Sequence, residues 1–377
     1  MIQTTNLENK NILLLGGTGV IGKSLIKYLN QSHANLFVTT RRELKSTENV
    51  KYIRGDAKDN QFLRKLLSQY NIDAIIDFMI YDTLEFSERI ELLLSDKFQY
   101  VYLSTYRVYA ESINELKEDA NYLKDSINDQ NYLSTNEYAL TKTEQELLIR
   151  SSEGTKWTII RPSITYGANR LQLGAFESDL ILPRVANGLP VPLPTEILDR
   201  KASITASKDV AKMICGLLMN ESAYENIFNV TTSESLTWRE ISNIYSEVIG
   251  LELREVSLDD FLKIEGNIWQ VKYDRMFDRT CSNDKVLKAT NLDITDLTLP
   301  TLGLKRELEN IDLNNFKNSL GTFNRKNGNI DRILGIFRTP VNLNFRSYIQ
   351  YLVGRVVILE VLYLKSKSLY ETCKKND

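Results

Sequence analysis

Short apolar runs alternate with amphipathic stretches through the first half of this chain. Ile12 to Leu15 is a continuous apolar run of strand length, and the residues from Lys23 to Leu29 place their apolar positions at helical spacing. Strand-like runs return at Asn35–Thr40, Val50–Ile53, Ile72–Phe78 and Phe98–Leu103, with an amphipathic helix over Asp59–Gln69 and another over Asn136–Arg150. This βαβαβαβ succession predicts a doubly wound parallel sheet, an α/β fold. Past Gly167 the pattern changes. Leu182–Pro190 reads as a helix running into a Pro-punctuated loop, Lys208 starts a helix, Phe228–Val230 is a strand, and Thr237-Trp238-Arg239-Glu240 opens a helix like a capping box. Glu111–Thr135, rich in acids and asparagines, is expected to be loop, and Asn310–Asp331 a flexible connection. Phe345–Leu369 is apolar and aromatic at helical spacing, interrupted by Arg355 and Glu360. It lacks 18 unbroken apolar residues, so no membrane span is expected. A helix docked on the body or on a second subunit and a helix lying on a membrane surface both remain open.

Between the first strand and the first helix stands Gly16-Gly17-Thr18-Gly19-Val20-Ile21-Gly22. The first N–H groups of a helix have no internal partner and its dipole favours negative charge, so this turn is a ready anion site. Glycine lets the backbone turn tightly and approach a phosphate closely. Two motifs share the letters. Gly17-x-x-x-x-Gly22-Lys23-Ser24 matches a P-loop, with Asp77 of Ala74-Ile75-Ile76-Asp77 as a Walker-B-like carboxylate. Gly16-x-x-Gly19-x-x-Gly22 matches a dinucleotide-binding turn. A turn that binds nothing is the third possibility.

The second strand ends in Thr40-Arg41-Arg42, where an NAD enzyme would carry an Asp or Glu for the ribose 2′-OH. Paired guanidiniums suit a 2′-phosphate, which favours NADP over NAD as cofactor; solvated loop charges are the alternative. Ser104 and Thr105 put hydroxyls at the end of the fifth strand, where such sheets bind ligands. Tyr138 and Lys142 lie at i and i+4 on one helix face. A Lys beside a phenol favours phenolate; bringing a phenol from about 10 to about 7 takes about 4 kcal/mol. Tyr363–Lys367 and Tyr370–Lys374 repeat the spacing as surface pairs, but only Tyr138 follows a glycine turn, four βα units and a Ser-Thr strand end.

A net charge of −2 gives no electrostatic reason to expect nucleic acid as a partner. His33 is the single histidine, so acid–base work falls to other side chains. Cys215, Cys281 and Cys373 offer neither a metal-ligand spacing nor a disulfide framework, and a reducing cytoplasm is the expected compartment. The polar N-terminus does not read as a secretory signal.

Taken in order, Gly16-x-x-Gly19-x-x-Gly22, Asp56, Ser104-Thr105-x-x-Val108-Tyr109, Tyr138-x-x-x-Lys142 and Arg161-Pro162-x-x-x-Tyr166-Gly167 resemble the extended short-chain dehydrogenase/reductases. More narrowly they resemble the NAD-dependent epimerase/dehydratase family, which modifies nucleotide sugars. The resemblance implies a Rossmann domain over 1–167 completed by about 203–232. It also implies a substrate lobe over 168–202 and 233–309, with 310–377 as a connection and C-terminal helical extension. It implies Tyr138 as acid/base, Lys142 on the nicotinamide ribose and tuning Tyr138, and Thr105 on the reacting oxygen beside Ser104. The turn from Gly16 to Gly22, Arg41, Arg42, Asp56 on the adenine, Ala57, Phe78 and Met79 would line the cofactor. Arg200, Arg275 and Arg279 are candidates for a substrate diphosphate, with ion-paired or surface roles as the alternative. Dehydratases of the family follow the catalytic Thr with Asp-Glu, whereas Thr105 is followed by Tyr106-Arg107. The implied reaction is therefore 4-epimerisation or 4-keto reduction on a nucleotide sugar. A dehydratase, or a non-catalytic NADP-sensing or scaffold protein on the same fold, is the alternative. A homodimer is the expected assembly.

Overall fold

A computed structural model describes residues 7–168, 170–340 and 342–376, with side chains up to residue 366. Most of the polar N-terminal stretch lies outside that description, as do the side chains of Cys373 and of the lysines of the two tail Tyr–Lys pairs. The chain divides into two compact units. The first comprises residues 1–168, 201–236 and 277–304, and the second 169–200, 237–276 and 305–377.

The first unit is built on seven parallel strands: β1 (Asn11–Leu15), β2 (Asn35–Thr40), β3 (Val50–Arg54), β4 (Ala74–Asp77), β5 (Gln99–Leu103), β6 (Trp157–Pro162) and β7 (Asn226–Val230). Their spatial order is β7-β6-β5-β4-β1-β2-β3. This is the 3-2-1-4-5-6 order of a Rossmann fold with one strand added. Successive side chains of β1 feed opposite faces. Ile12 and Leu14 join one buried cluster, with Leu25 and Leu29 of the helix α1 (Val20–Gln31) and with Val210 and Ile214 of the helix Ser207–Leu217. Leu13 and Leu15 join another, with Leu63 and Leu66 of the helix α2 (Asn60–Gln69), which Asp59 caps. Both faces are covered, which is why the strands read as continuous apolar runs. The register sets Leu15 beside Asp77 and Asp77 beside Tyr102, so the residues following β1, β4 and β5 emerge along one edge.

The stretch Glu111–Thr135, expected as loop, contains two short helices, Leu123–Ser126 and Gln130–Leu133. Leu123 and Tyr132 are buried and hold them down.

In the second unit Val191–Pro194 pairs in parallel with Leu253–Val256. Thr237 and Glu240 form the expected capping box at the start of the helix Trp238–Ile249. The expectation for Asn310–Asp331 is corrected: its second half enters a buried helix, Asn324–Ile333. Its polar side chains are bonded rather than solvated. Asn327 accepts from Arg184 at 2.8 Å and donates to Leu320 O at 3.0 Å, while Asp331 accepts from Arg184 at 3.0 Å, Arg338 at 2.7 Å and the Tyr351 hydroxyl at 2.9 Å. Gly328 meets the following helix, Phe345–Arg355, so closely that a Cβ would stand 2.1 Å from Tyr351 O. The apolar tail forms that helix and Val357–Asn376, bent by 105° between Phe345–Arg355 and Val357–Ser366. Among the described residues no single helix is long and apolar enough to cross a membrane.

Candidate active site

The glycine turn follows β1 directly. Gly16 has φ +71°, its N–H donates to Thr39 Oγ1 at 2.9 Å, and a Cβ there would stand 2.6 Å from Met79 Sδ. At Gly22 a Cβ would meet Gly17 O at 2.2 Å, so the turn can close on the helix only with glycine. At Gly19 a Cβ would meet nothing within 4 Å. That position opens outward, and its bare backbone leaves room for an incoming group. Gly19 is also the N-cap of α1, which has no side-chain cap and no acid in its first turn. Anion-binding N–H groups and the positive end of the dipole are thus left exposed. Thr18, Val20 and Ile21 complete the turn, Thr18 N–H donating to Gly16 O at 2.9 Å.

The P-loop alternative fails on two residues. Lys23 is exposed on the first turn of α1. Asp77 is wholly buried, accepting from Met79 N–H at 2.9 Å, Tyr81 at 3.0 Å and Tyr100 at 2.9 Å, and burial raises its carboxyl above the usual range. It faces the interior and cannot hold a phosphate-bound metal.

Arg41 and Arg42 stand exposed just past β2. Asp56 is exposed in the turn after β3, accepting from Lys58 N–H at 3.0 Å, with Ala57 buried behind it. Phe78 and Met79 leave β4 half-buried, Phe78 N–H bonding Leu15 O at 3.0 Å. Thr105, after β5, caps the short turn Tyr106–Val108 by accepting from Arg107 N–H. Ser104 is turned inward and its hydroxyl donates to Glu146.

Tyr138 opens the helix α3 (Tyr138–Arg150), and Lys142 lies one turn on. The Lys142 Nζ donates to Leu103 O at 2.7 Å and lies 5.8 Å from the Tyr138 ring centroid and 4.4 Å from that of Tyr102. Burial pushes its ammonium down to about 8, against the opposing attraction of Asp77 and Glu146. Arg107 lies 5.5 Å from the Tyr138 ring centroid and pairs with Glu137, which also accepts from Tyr132 at 3.1 Å and Ala139 N–H at 2.7 Å.

Two acids around this site, Glu146 and Glu137, escaped the sequence analysis, and Asp77 entered it only as a Walker-B-like carboxylate. Glu146 accepts from Arg161 Nε at 3.0 Å and Tyr122 at 2.9 Å, tying α3 to β6; the spacing 138, 142, 146 was an available signal. Glu137 left only its adjacency to Tyr138.

Of the three arginines proposed for a diphosphate, one falls in the first unit and two in the second. Arg279, in the first unit, is buried and donates to Tyr109 O at 2.8 Å. In the second unit, Arg275 is buried against Asp274 and donates to Gly174 O at 2.8 Å, while Arg200 is half-buried. Arg275 and Arg279 are thus engaged in holding local backbone.

The strand order and the glycine turn define a Rossmann fold of the extended short-chain dehydrogenase/reductase kind. The family model described as "NAD dependent epimerase/dehydratase family" matches residues 12–231, more than half of the sequence, and the chain belongs to that family. A curated relative, "Chloroplast stem-loop binding protein of 41 kDa b" of Arabidopsis thaliana, is 26% identical over 266 residues, 66% of each chain. Another from the same plant is a trifunctional UDP-glucose 4,6-dehydratase/UDP-4-keto-6-deoxy-D-glucose 3,5-epimerase/UDP-4-keto-L-rhamnose-reductase. It is 21% identical over 64% of this chain and 40% of its own. The chain thus spans just under two thirds of one of these relatives and well under half of the other. Among solved structures, dTDP-glucose 4,6-dehydratase from Bacillus anthracis in complex with NAD superposes with a TM-score of 0.63. It is 15% identical and covers 80% of this chain and 96% of that one, a likeness of fold.

Proposed function

We propose that this protein is an NAD(P)-dependent enzyme acting on a nucleotide-linked sugar, as a 4-epimerase or a 4-keto-sugar reductase. One observation supports the reading: the glycine turn and Thr105 follow strands at the carboxyl edge of one parallel sheet, and Lys142, near Tyr138, bonds Leu103 O at that edge. The open position at Gly19 and the uncapped start of α1 fit a pyrophosphate. Arg41 and Arg42 favour the 2′-phosphate of NADP, and Asp56, Ala57, Phe78 and Met79 line the rest of the cofactor's path. When bound, the nicotinamide supplies or accepts the hydride.

The chain's own residues handle the oxygen and its proton. Thr105 orients the sugar 4-oxygen, and Tyr138 delivers a proton to it or removes one. Lys142 favours the phenolate and holds the ribose hydroxyls. Such general acid–base help is worth about 10²–10⁴-fold. Water elimination would need a further acid and base after Thr105. Tyr106 is buried there, and the nearby Glu137 is engaged by Arg107, Tyr132 and a backbone amide. This supports simple hydride exchange over dehydration. Nucleotide sugars stand in the names of the trifunctional relative and of the Bacillus enzyme. The stem-loop binding in the other relative's name is not carried over, since a net charge of −2 gives it no electrostatic support.

The test is a panel of UDP- and dTDP-hexoses and their 4-keto forms, incubated with NADP(H) or NAD(H) and followed by absorbance and NMR. The expected outcome is C4 epimer formation or net 4-keto reduction. Release of a 4-keto-6-deoxy sugar would make the protein a dehydratase. Cofactor binding without turnover on any substrate would favour the sensing or scaffold role.

A further inference from the structure

Within the second unit, the helix segment from Val357 to Leu364 is apolar on nearly every side. Val357, Ile358, Leu359, Val361, Leu362, Tyr363 and Leu364 are all exposed, Ile358 at 71% and Leu362 at 58%. A helix apolar all round is ordinarily buried in a core or in lipid. The preceding helix adds Phe345 at 82% and Ile349, and the loop before it Phe337 at 91%. Contiguous exposure of this kind marks an interaction surface rather than scattered surface residues.

The segment's one charge is withdrawn from that surface. Glu360 is turned inward, accepting from Asn329 Nδ2 at 2.7 Å, Arg332 at 2.6 Å and Arg325 at 3.4 Å. It is the single acid between Asp331 and Glu371, whereas Arg338, Arg346, Arg355, Lys365 and Lys367 fall in the same stretch. Arg346, next to exposed Phe345, and Lys365, next to exposed Leu364, are themselves exposed. Glu360 therefore both anchors the helix and leaves its outer surface uncharged, within a basic border.

We infer that the bent helix pair Phe345–Arg355 and Val357–Ser366 docks on an anionic lipid bilayer, its apolar side chains entering the headgroup–acyl boundary and its basic border facing lipid phosphate. Apolar burial and attraction to anionic lipid are the two components of interfacial helix binding. A second copy of this chain fits less well. A two-fold pairing would bring the same basic stretch of each copy to one interface, where Glu360 is turned inward and no other acid of the stretch can pair it. It would also cover one side of a helix exposed on several.

The experiment uses the full chain with sedimented vesicles of phosphatidylcholine, with and without phosphatidylglycerol. The wild type is expected to bind the phosphatidylglycerol vesicles, more weakly as salt is raised. Ile358→Glu/Leu362→Glu, at two exposed positions, should retain the circular dichroism of the wild type and lose on the order of tenfold or more in partitioning. Arg346→Gln/Lys365→Gln should lose the preference for phosphatidylglycerol over phosphatidylcholine alone. The proposal is overturned if the wild type leaves the vesicles in the supernatant, or if the double Glu variant binds them as well as the wild type. A dimer in sedimentation velocity that the Glu variant breaks, in a protein that ignores vesicles, would assign the surface to a second copy instead.

Discussion

Lys142, proposed above for the chemistry, is a buried cation held at a cost in stability. Free lysine holds its proton to 10.5, and burial beneath the Tyr102 and Tyr138 rings brings Lys142 to about 8. That gap, at about 1.36 kcal/mol per pH unit, is about 3 kcal/mol of strain at neutral pH. Between those two values the unfolded chain keeps the proton and the folded chain has released it. Stability therefore rises with pH from about 8 to about 10.5, and below 8 the whole cost is present. Lys142→Met keeps the length and removes the charge, while leaving Leu103 O without its donor, a loss of about 1 kcal/mol. The variant is expected to be about 2 kcal/mol more stable than wild type near neutral pH and to lack turnover. Urea unfolding of both proteins without added nucleotide, repeated from about pH 7 to about pH 10.5, measures this; a bound dinucleotide would add its own stabilisation. The wild type should gain on the variant as pH rises. A variant less stable at neutral pH, or a difference that stays flat over the range, refutes the account of Lys142 as a strained buried cation.

Three further outcomes are expected. Tyr138→Phe should lower turnover by about 10²–10⁴-fold while NADPH fluorescence titration stays unchanged, and wild-type turnover would remove Tyr138 from the reaction. Arg41→Ala should weaken NADPH by about tenfold and NADH little, since it would delete the proposed guanidinium–phosphate contact; equal effects on both would leave Arg41 a solvated loop charge. Gly22→Ala places a methyl within 2.2 Å of Gly17 O and should cost about 1–3 kcal/mol in unfolding experiments and weaken dinucleotide binding, whereas an unchanged melting temperature would show that the turn can relax.

The Rossmann unit was legible because its signals are local. A buried parallel strand must be apolar on both faces, so β1 to β5 announce themselves as runs. The glycine turn was legible for a related reason, since backbone proximity at Gly22 and the positive φ of Gly16 both demand glycine. The polar stretch from Asn310 to Asp331 defeated the same logic. Glycine and asparagine ordinarily mark loops, and the residues that make a helix of Asn324–Ile333 lie far away in sequence. Arg184 bonds Asn327 and Asp331, Glu360 bonds Asn329, and Gly328 is needed for close approach to the next helix. A buried asparagine and a solvated one look alike until the partner is known.

The same distinction separates the two kinds of residue proposed for the site. Tyr138 and Lys142 share one face of one helix, so their meeting follows from spacing alone, and Glu146 extends it by another turn. The arginines proposed for a diphosphate had no such constraint. An arginine suits phosphate, but it suits a backbone carbonyl or a carboxylate equally, and Arg275 and Arg279 are buried against those partners. Chemistry that depends on one helix or one turn can be read from sequence. Chemistry that depends on which of several cations reaches solvent requires the fold, and a substrate diphosphate should be sought first on exposed cations rather than on the two already occupied.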